Sequence, residues 1–225
     1  MAWASIAIKS LCGYEYISTV MMGLIAFILI ELIVAILERN KRLSILLFRT
    51  TIIIGVAALI GFITAISIHA TLRGEGSILE GIHDIIERDV LRRTNGGSLN
   101  DFDEVYWPSL NASTWEVFCK YFKFSTEIIA GITGNLFPIL CIMPLLIFLF
   151  DIYKKIKINA RHVAAYVVFF MTTISWICLA KGHSYIHTHM NYVLWYFGFI
   201  QICFYIIISR IKYLLDEIKD NKTES

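Results

Sequence analysis

The chain has 225 residues, of which 57% are hydrophobic, 14% aromatic and only 17% charged, and its mean hydropathy is +0.67. This composition excludes an ordinary soluble domain and indicates a protein of the lipid bilayer. The net charge of +2 is too small to indicate a nucleic-acid partner. The basic residues lie in short clusters beside apolar runs, where they orient a membrane protein.

Five apolar runs are long enough to cross about 30 Å of hydrocarbon as helices of roughly 20 residues. Their hydrophobicity is continuous and does not alternate, which argues against the strands of an outer-membrane barrel. We therefore expect an all-α fold, a polytopic transmembrane helical bundle that forms a single membrane domain over residues 1–225. The predicted spans are Ile17 to Leu37, Leu43 to Ala70, Glu127 to Phe150, Val163 to Ala180 and Tyr192 to Ser209.

The basic clusters predict the orientation of the bundle. They lie between spans one and two, between spans three and four, and after span five, so five spans put all of them on one side. The positive-inside rule makes that side cytoplasmic. We expect an integral protein of a bacterial inner membrane, with the N-terminus outside and the C-terminus cytoplasmic. The clusters are Arg39, Lys41 and Arg42; Lys154, Lys155, Lys157 and Arg161; and Arg210, Lys212, Lys219 and Lys222.

A carboxylate stands directly before the first span. Glu15 lies between Tyr14 and Tyr16, and tyrosines at this position are typical of an interfacial aromatic belt. An outward acid beside the membrane surface suits catalysis or ligand binding, although a solvated interfacial glutamate is the commoner case. Glu15 is the candidate catalytic residue.

Two opposite charges fall inside the first two spans. Glu31 and Arg49 are each about nine residues from Asn40, so an antiparallel hairpin puts them at the same depth. A charge in hydrocarbon costs about 2.5–3.5 kcal/mol, which an ion pair reduces. The alternative is a proton or ion relay. We favour the structural ion pair, because no other ionisable group lies in the middle of the remaining spans.

Residues 71–126 form the one sizeable polar loop, which we expect to be extracytoplasmic and helical. Arg73 is near the start of this loop. The loop is too long to be unstructured in a compact protein. Ser77 to Arg93 has the pattern of an amphipathic helix that lies on the bilayer or covers the bundle. A second helix is predicted by the capping-box pattern of Ser113 and Glu116.

Residues 181–191 connect spans four and five and carry three of the six histidines. His183 and His187 are spaced i, i+4, so on a helix they share a face and could ligate one metal. His189 would lie far from that face unless the helix breaks near Thr188. Histidine spacing alone is a weak motif, so we assign no metal, and the cofactor is unknown.

The same segment has two other interpretations. It can be a polar connection at the membrane interface. It can also recognise a phosphate or lipid headgroup through Lys181 and the histidines, with Asn191 and Ser184 as hydrogen-bond donors. We favour a structural or headgroup-binding role over a metal site.

Three segments resemble the later membrane region of large bacterial polytopic glycosyltransferases of the GT-C type: Gly13-Tyr-Glu-Tyr-Ile-Ser18, Glu87-Arg-Asp-Val-Leu-Arg-Arg-Thr94, and the stretch from Ala180 to Tyr196. The resemblance is one of general character. It implies an active site at the outer membrane face, where a sugar leaves a polyprenyl-phosphate carrier and an acid serves as base.

By this resemblance, Glu15 would be the acid, and Arg73, Lys181, His183 and His187 would bind phosphate. No acid here aligns with the first-loop acid of that superfamily. Five spans are also fewer than it usually has, which implies a partner membrane chain supplying further spans. The partners expected are therefore the lipid bilayer, a lipid-phosphate-linked sugar and such a chain.

Two alternatives remain open. The first is a non-enzymatic membrane subunit, or a partner protein of the immunity or exclusion type, whose loop helices dock another chain. The second is a histidine-ligated metalloenzyme.

Overall fold

The computed structural model describes residues 1–91, 93–94, 103–123 and 136–223. All regular structure within these residues is helical, which confirms the expected fold class. A π-helical segment (Ile86–Leu91) follows α4, and a 3-10 turn (Glu104–Tyr106) precedes α5. The helices are α1 (Ala2–Leu11), α2 (Ile17–Leu37), α3 (Lys41–Arg73), α4 (Ile78–Ile85), α5 (Trp107–Asn111), α6 (Thr114–Lys123), α7 (Leu136–Tyr153), α8 (Ala160–Leu179), α9 (Lys181–Ile186), α10 (Thr188–Tyr196) and α11 (Phe199–Thr223).

Four helices, α2, α3, α7 and α8, are long and apolar enough to cross a membrane. The bent pair α10 and α11 passes the same test when it is counted as one span, which brings the number to five. The protein is therefore an integral membrane protein with about five spans, as expected. The predicted start of span three at Glu127 lies outside the described residues.

The fifth span is broken, whereas the sequence predicts a continuous helix from Tyr192 to Ser209. The two halves meet at an angle of 49°. Gly198 lies at the break with a φ of +110°, a conformation that favours glycine. A Cβ at Gly198 would also collide with the ring of Phe169. The break follows from this backbone geometry, which hydropathy does not reveal.

The N-terminal residues Ala2–Leu11 form a helix, α1, that the sequence did not predict. α1 packs lengthwise against α3, and Ile6 is only 1% exposed. Gly61 permits the close approach, because a Cβ there would collide with the carbonyl oxygen of Trp3. The indole of Trp3 also donates a hydrogen bond to Thr64 Oγ1 at 3.2 Å. The N-terminal segment is therefore part of the bundle.

α6 is packed into the bundle, although it belongs to the polar loop. Val117 and Tyr121 are fully buried, and the Tyr121 ring lies 6.0 Å from that of Trp195 in the aromatic core. The predicted capping box is confirmed: the Ser113 backbone amide donates to Glu116 Oε2 at 2.6 Å, and the Glu116 amide donates to Ser113 Oγ at 3.1 Å. These bonds lower the pKa of the Glu116 carboxyl.

The two ends of the bundle differ in structure. We call the end where α2 begins and α3 and α8 end the loop end, because α4, α5, α6 and α9 lie there. The opposite end is the far end. There, Asp151 of α7 and Arg210 of α11 form a buried salt bridge at 2.7 Å, with side chains only 11% and 12% exposed.

The predicted pairing of Glu31 with Arg49 is wrong. Glu31 Oε2 instead pairs with Arg161 Nη2 at 2.8 Å, because Glu31 lies on a face of α2 that packs against α8. Arg49 is exposed on α3 and makes no salt bridge with any described residue. The hairpin argument predicted the depth of Glu31 but not the direction of its side chain around the helix axis.

Candidate functional site

A cavity of about 420 Å³ opens at the loop end. Its residues come from four separate parts of the chain: the turn before α2, the π-helical segment and the residues after it, the region of α5, and α9. We call it the loop-end cavity. It is lined by Glu15, Arg88, Asp89, Arg93, Tyr106, Ser109, Leu110, His183, Ile186 and His187.

A chain of salt bridges runs along one wall of this cavity. Arg93 pairs with Glu15 at 3.0 Å and with Asp89 at 3.6 Å. Asp89 in turn pairs with Arg73 at 2.6 Å, and Arg73 also reaches Asp84 at 3.5 Å. Arg73, a predicted phosphate-binding residue, does not line the cavity, but it holds Asp89, which does.

Two tyrosines hold the turn that presents Glu15. The hydroxyl of Tyr14 forms a hydrogen bond of 2.6 Å with His69 Nδ1 on α3. The hydroxyl of Tyr16 donates to Asn191 Oδ1 on α10 at 2.8 Å. Burial raises the pKa of both hydroxyls. Asn191 is fully buried and does not line the cavity, so it positions the turn that carries Glu15.

The connection between α9 and α10 breaks at His187, which has φ −102° and ψ 34°. The rings of His183 and His187 are 4.7 Å apart, and both line the cavity. His189 is exposed, and its ring lies 6.4 Å from that of His187. The break near Thr188 therefore occurs, but it does not bring all three histidines into the cavity.

His183 is neutral at pH 7. Burial, followed by the proximity of His187 and Arg93, lowers its pKa to about 4, and Glu15 opposes this shift. Its Nδ1 is buried and has no hydrogen-bond partner among the described residues. A neutral imidazole can donate a hydrogen bond through one ring nitrogen and accept one through the other.

No three His, Cys, Asp or Glu side chains in the described ranges are arranged to hold one metal ion. The metalloenzyme alternative therefore has no geometric support from this part of the chain.

Lys181 lies outside the cavity, although a phosphate contact was predicted for it. Its side chain is buried and donates a hydrogen bond to the carbonyl oxygen of Leu110 at 2.8 Å. Burial lowers the pKa of its ammonium group. Lys120 makes a similar bond to the carbonyl of Tyr185 at 2.7 Å. The two lysines thus fasten α9 to α5 and α6, and they hold the walls of the cavity in place.

Five of the polar residues of the cavity were not among the predicted site residues. The sequence predicted one helix from Ser77 to Arg93, but the α-helical part ends at Ile85 and a π-helical segment follows. A π-helix adds a residue to the turn, so a uniform helical pattern misplaces the side chains after it. The stretch Glu87 to Thr94 was singled out only through its resemblance. The missed residues are Arg88, Asp89, Arg93, Tyr106 and Ser109.

The arrangement can bind a ligand with both anionic and hydroxyl groups. Arginine guanidinium groups pair with phosphate or carboxylate oxygens, and two of them, Arg88 and Arg93, line the cavity. The carboxylate of Glu15 and the neutral ring of His183 offer hydrogen bonds to hydroxyl groups.

The chain matches no protein-family model, and no curated protein or solved structure matches it either.

Proposed function

We propose that this integral membrane protein acts as a GT-C-like glycosyltransferase on a polyprenyl-phosphate-linked sugar bound in the loop-end cavity. The observation that supports the proposal is the meeting of Glu15, Arg93 and His183 in one cavity at one end of the bundle. An acid, a phosphate-binding cation and a neutral hydrogen-bonding ring are the groups that such a substrate requires.

The outer membrane face is the proposed location of the cavity. The three basic clusters predicted to be cytoplasmic are all at the far end. Arg39 lies between α2 and α3, Lys155 lies between α7 and α8, and Arg210 lies on α11. The positive-inside rule then makes the loop end extracytoplasmic. In a bacterial inner membrane, the C-terminus would be cytoplasmic.

In the proposed reaction, an acceptor hydroxyl oxygen forms a bond to the anomeric carbon of the sugar. The bond between that carbon and the phosphate oxygen breaks, and its electron pair leaves with the lipid phosphate. The hydroxyl proton passes to the carboxylate of Glu15. Arg93 and Arg88 stabilise the phosphate as it leaves, and His183 orients a sugar hydroxyl.

The test uses purified protein in nanodiscs with a polyprenyl phosphate that carries a radiolabelled hexose, plus a bacterial lipid extract as the source of acceptor. We expect Glu15→Gln to lower the transfer rate by about 10²–10⁴-fold, the range for loss of an acid–base group, while donor binding persists. Arg93→Gln should weaken donor binding. Glu38→Gln, a change at an exposed far-end carboxylate, is the matched control. Wild-type transfer by the Glu15→Gln protein, or by His183→Ala and His187→Ala proteins, would refute the proposed site.

A second candidate is a non-enzymatic membrane subunit that contacts another chain through α3. Arg49 favours it, because this guanidinium is exposed on a helix of which only 17% of the span is buried. A charge in hydrocarbon costs about 2.5–3.5 kcal/mol, and an acidic residue on a neighbouring chain would offset this. Stoichiometric co-purification of a membrane protein, lost in Arg49→Leu but not in Lys41→Leu, would support this candidate.

A further inference from the structure

A second recess, of about 630 Å³, lies beside α6. α5 and α9 contribute residues to it that differ from those they contribute to the loop-end cavity: Pro108 and Tyr185 line this recess, whereas Ser109 and Ile186 line the other. Trp115, Lys120 and Lys123 form its α6 side. We call it the α6 recess.

An apolar groove of about 240 Å³ leads away from this recess between α6 and α8. Trp115 lines both features. Phe118 on α6 and Phe170, Ile174 and Ile177 on α8 form the walls of this α6–α8 groove. On α8 the groove extends from Phe170 to Cys178, a length of about 12 Å at ~1.5 Å rise per residue.

The charge of the α6 recess favours an anion. Glu116 is held by its hydrogen bonds to Ser113, and the amine of Lys120 bonds to the Tyr185 carbonyl and lies 3.8 Å above that ring. Lys123 is exposed and makes no salt bridge with any residue in the described part of the chain. Its exposed ammonium group adds a positive charge to the recess, which Trp115 joins to the groove.

We propose that the α6 recess and the α6–α8 groove together bind one anionic phospholipid of the surrounding membrane. The phosphate lies in the α6 recess beside Lys123, and one acyl chain lies in the groove against Phe118 and Ile174. Trp115 stands between the two, 69% exposed, and tryptophan is enriched at the boundary between headgroups and hydrocarbon. This site is separate from the loop-end cavity and does not depend on the glycosyltransferase proposal.

The test is photo-cross-linking of the full chain in phosphatidylcholine nanodiscs, with a phosphatidylglycerol probe that carries a diazirine on one acyl chain. Peptide mapping should find cross-links at residues 114–118 and 170–178. Ile174→Trp fills the groove and should remove most of them. Met171→Trp, a change to an exposed residue on the same helix, should leave them unchanged and is the matched control.

The headgroup is tested separately. Lys123→Gln should reduce labelling by the phosphatidylglycerol probe about fivefold, the effect of one basic residue near an anionic surface. Lys212→Gln, at an exposed lysine on α11, should have no effect. Because Lys123 is exposed, its substitution leaves the fold intact, and a matching thermal midpoint will verify this.

Three results would overturn the proposal. One is equal labelling of the groove by phosphatidylglycerol and phosphatidylcholine probes, since the site would then not select an anion. Another is unchanged labelling in Ile174→Trp. The third is full competition by soluble glycerol phosphate, which would mean that the recess binds phosphate without an acyl chain.

Discussion

The two ends of the bundle use charged residues in different ways. At the far end, Asp151 and Arg210 form a single buried pair that connects α7 to α11. At the loop end, Arg93 is shared between Glu15 and Asp89 beside an open cavity, and its side chain is 27% exposed. A cavity of about 210 Å³ borders the Asp151–Arg210 pair, but both side chains are nearly buried and bonded to each other, so this pair holds helices together. Arg93 is partly exposed and shared between two carboxylates, so it can exchange one of them for a ligand. Stability should therefore depend most on the far end and ligand binding on the loop end.

The largest expected effect comes from Asp151→Asn. Removing one partner leaves the Arg210 guanidinium buried and unpaired, which costs about 3–5 kcal/mol. The thermal midpoint in detergent should fall strongly, while binding at the loop-end cavity in the folded fraction should not change. Asp216→Asn, at an exposed carboxylate on α11, is the control. A wild-type thermal midpoint for Asp151→Asn would mean that the far-end salt bridge does not stabilise the bundle.

A smaller effect is expected for Lys181→Met, which removes a buried cation at the loop end. The partly buried Leu110 carbonyl would lose its donor, and the loss should fall at or below the cost of a fully buried, unsatisfied acceptor, which is about 1–3 kcal/mol. We expect a lower thermal midpoint together with weaker ligand binding, since α5 and α9 form two walls of the cavity. Destabilisation with unchanged binding would mean that Lys181 does not position the cavity walls.

His183 should contribute to the dependence of stability on pH. Its pKa is lowered to about 4 in the folded protein, whereas a histidine in the unfolded chain titrates near 6.5. The unfolded state therefore binds the proton first, so this residue lowers stability progressively as pH falls from about 6.5 towards 4. His183→Gln should lose less stability than the wild type when the thermal midpoint is compared at pH 7.5 and pH 5. Parallel pH profiles would contradict this.

The smallest effect is expected for Glu31→Gln. The Glu31 and Arg161 side chains are 43% and 60% exposed, and exposed ion pairs contribute little. The thermal midpoint should change far less than for Asp151→Asn. A loss as large as that for Asp151→Asn would show that an exposed ion pair stabilises the bundle as much as a buried one does.

The spans and the convergence of three site residues could be predicted from the sequence. Long apolar runs indicate membrane helices whatever their packing, and alternation of five spans puts the turn before α2 and the segment after α8 at the same end. Glu15, His183 and His187 do meet there. Topology alone was sufficient for this prediction.

The features that were not predicted depend on backbone and side-chain geometry, which a hydropathy pattern does not reveal. Glu31 pairs with Arg161 because its side chain points towards α8. Its depth in the bundle alone does not determine its partner. Arg88 and Asp89 reach the cavity through a π-helical segment, which disrupts the regular pattern. The broken fifth span depends on the φ angle of Gly198.

The length of α3 has a consequence for the membrane in which the protein works. Its 33 residues measure about 50 Å, whereas the hydrocarbon core is about 30 Å thick. α4 packs against the last turns of α3, where Gly81 meets Ala70. The length of α3 therefore sets the height of Arg73 above the lipid surface. A thicker or thinner bilayer would tilt α3 or move Arg73 relative to the headgroups. Because Arg73 pairs with Asp89 in the cavity wall, a change in bilayer thickness would act on the cavity without any change in sequence.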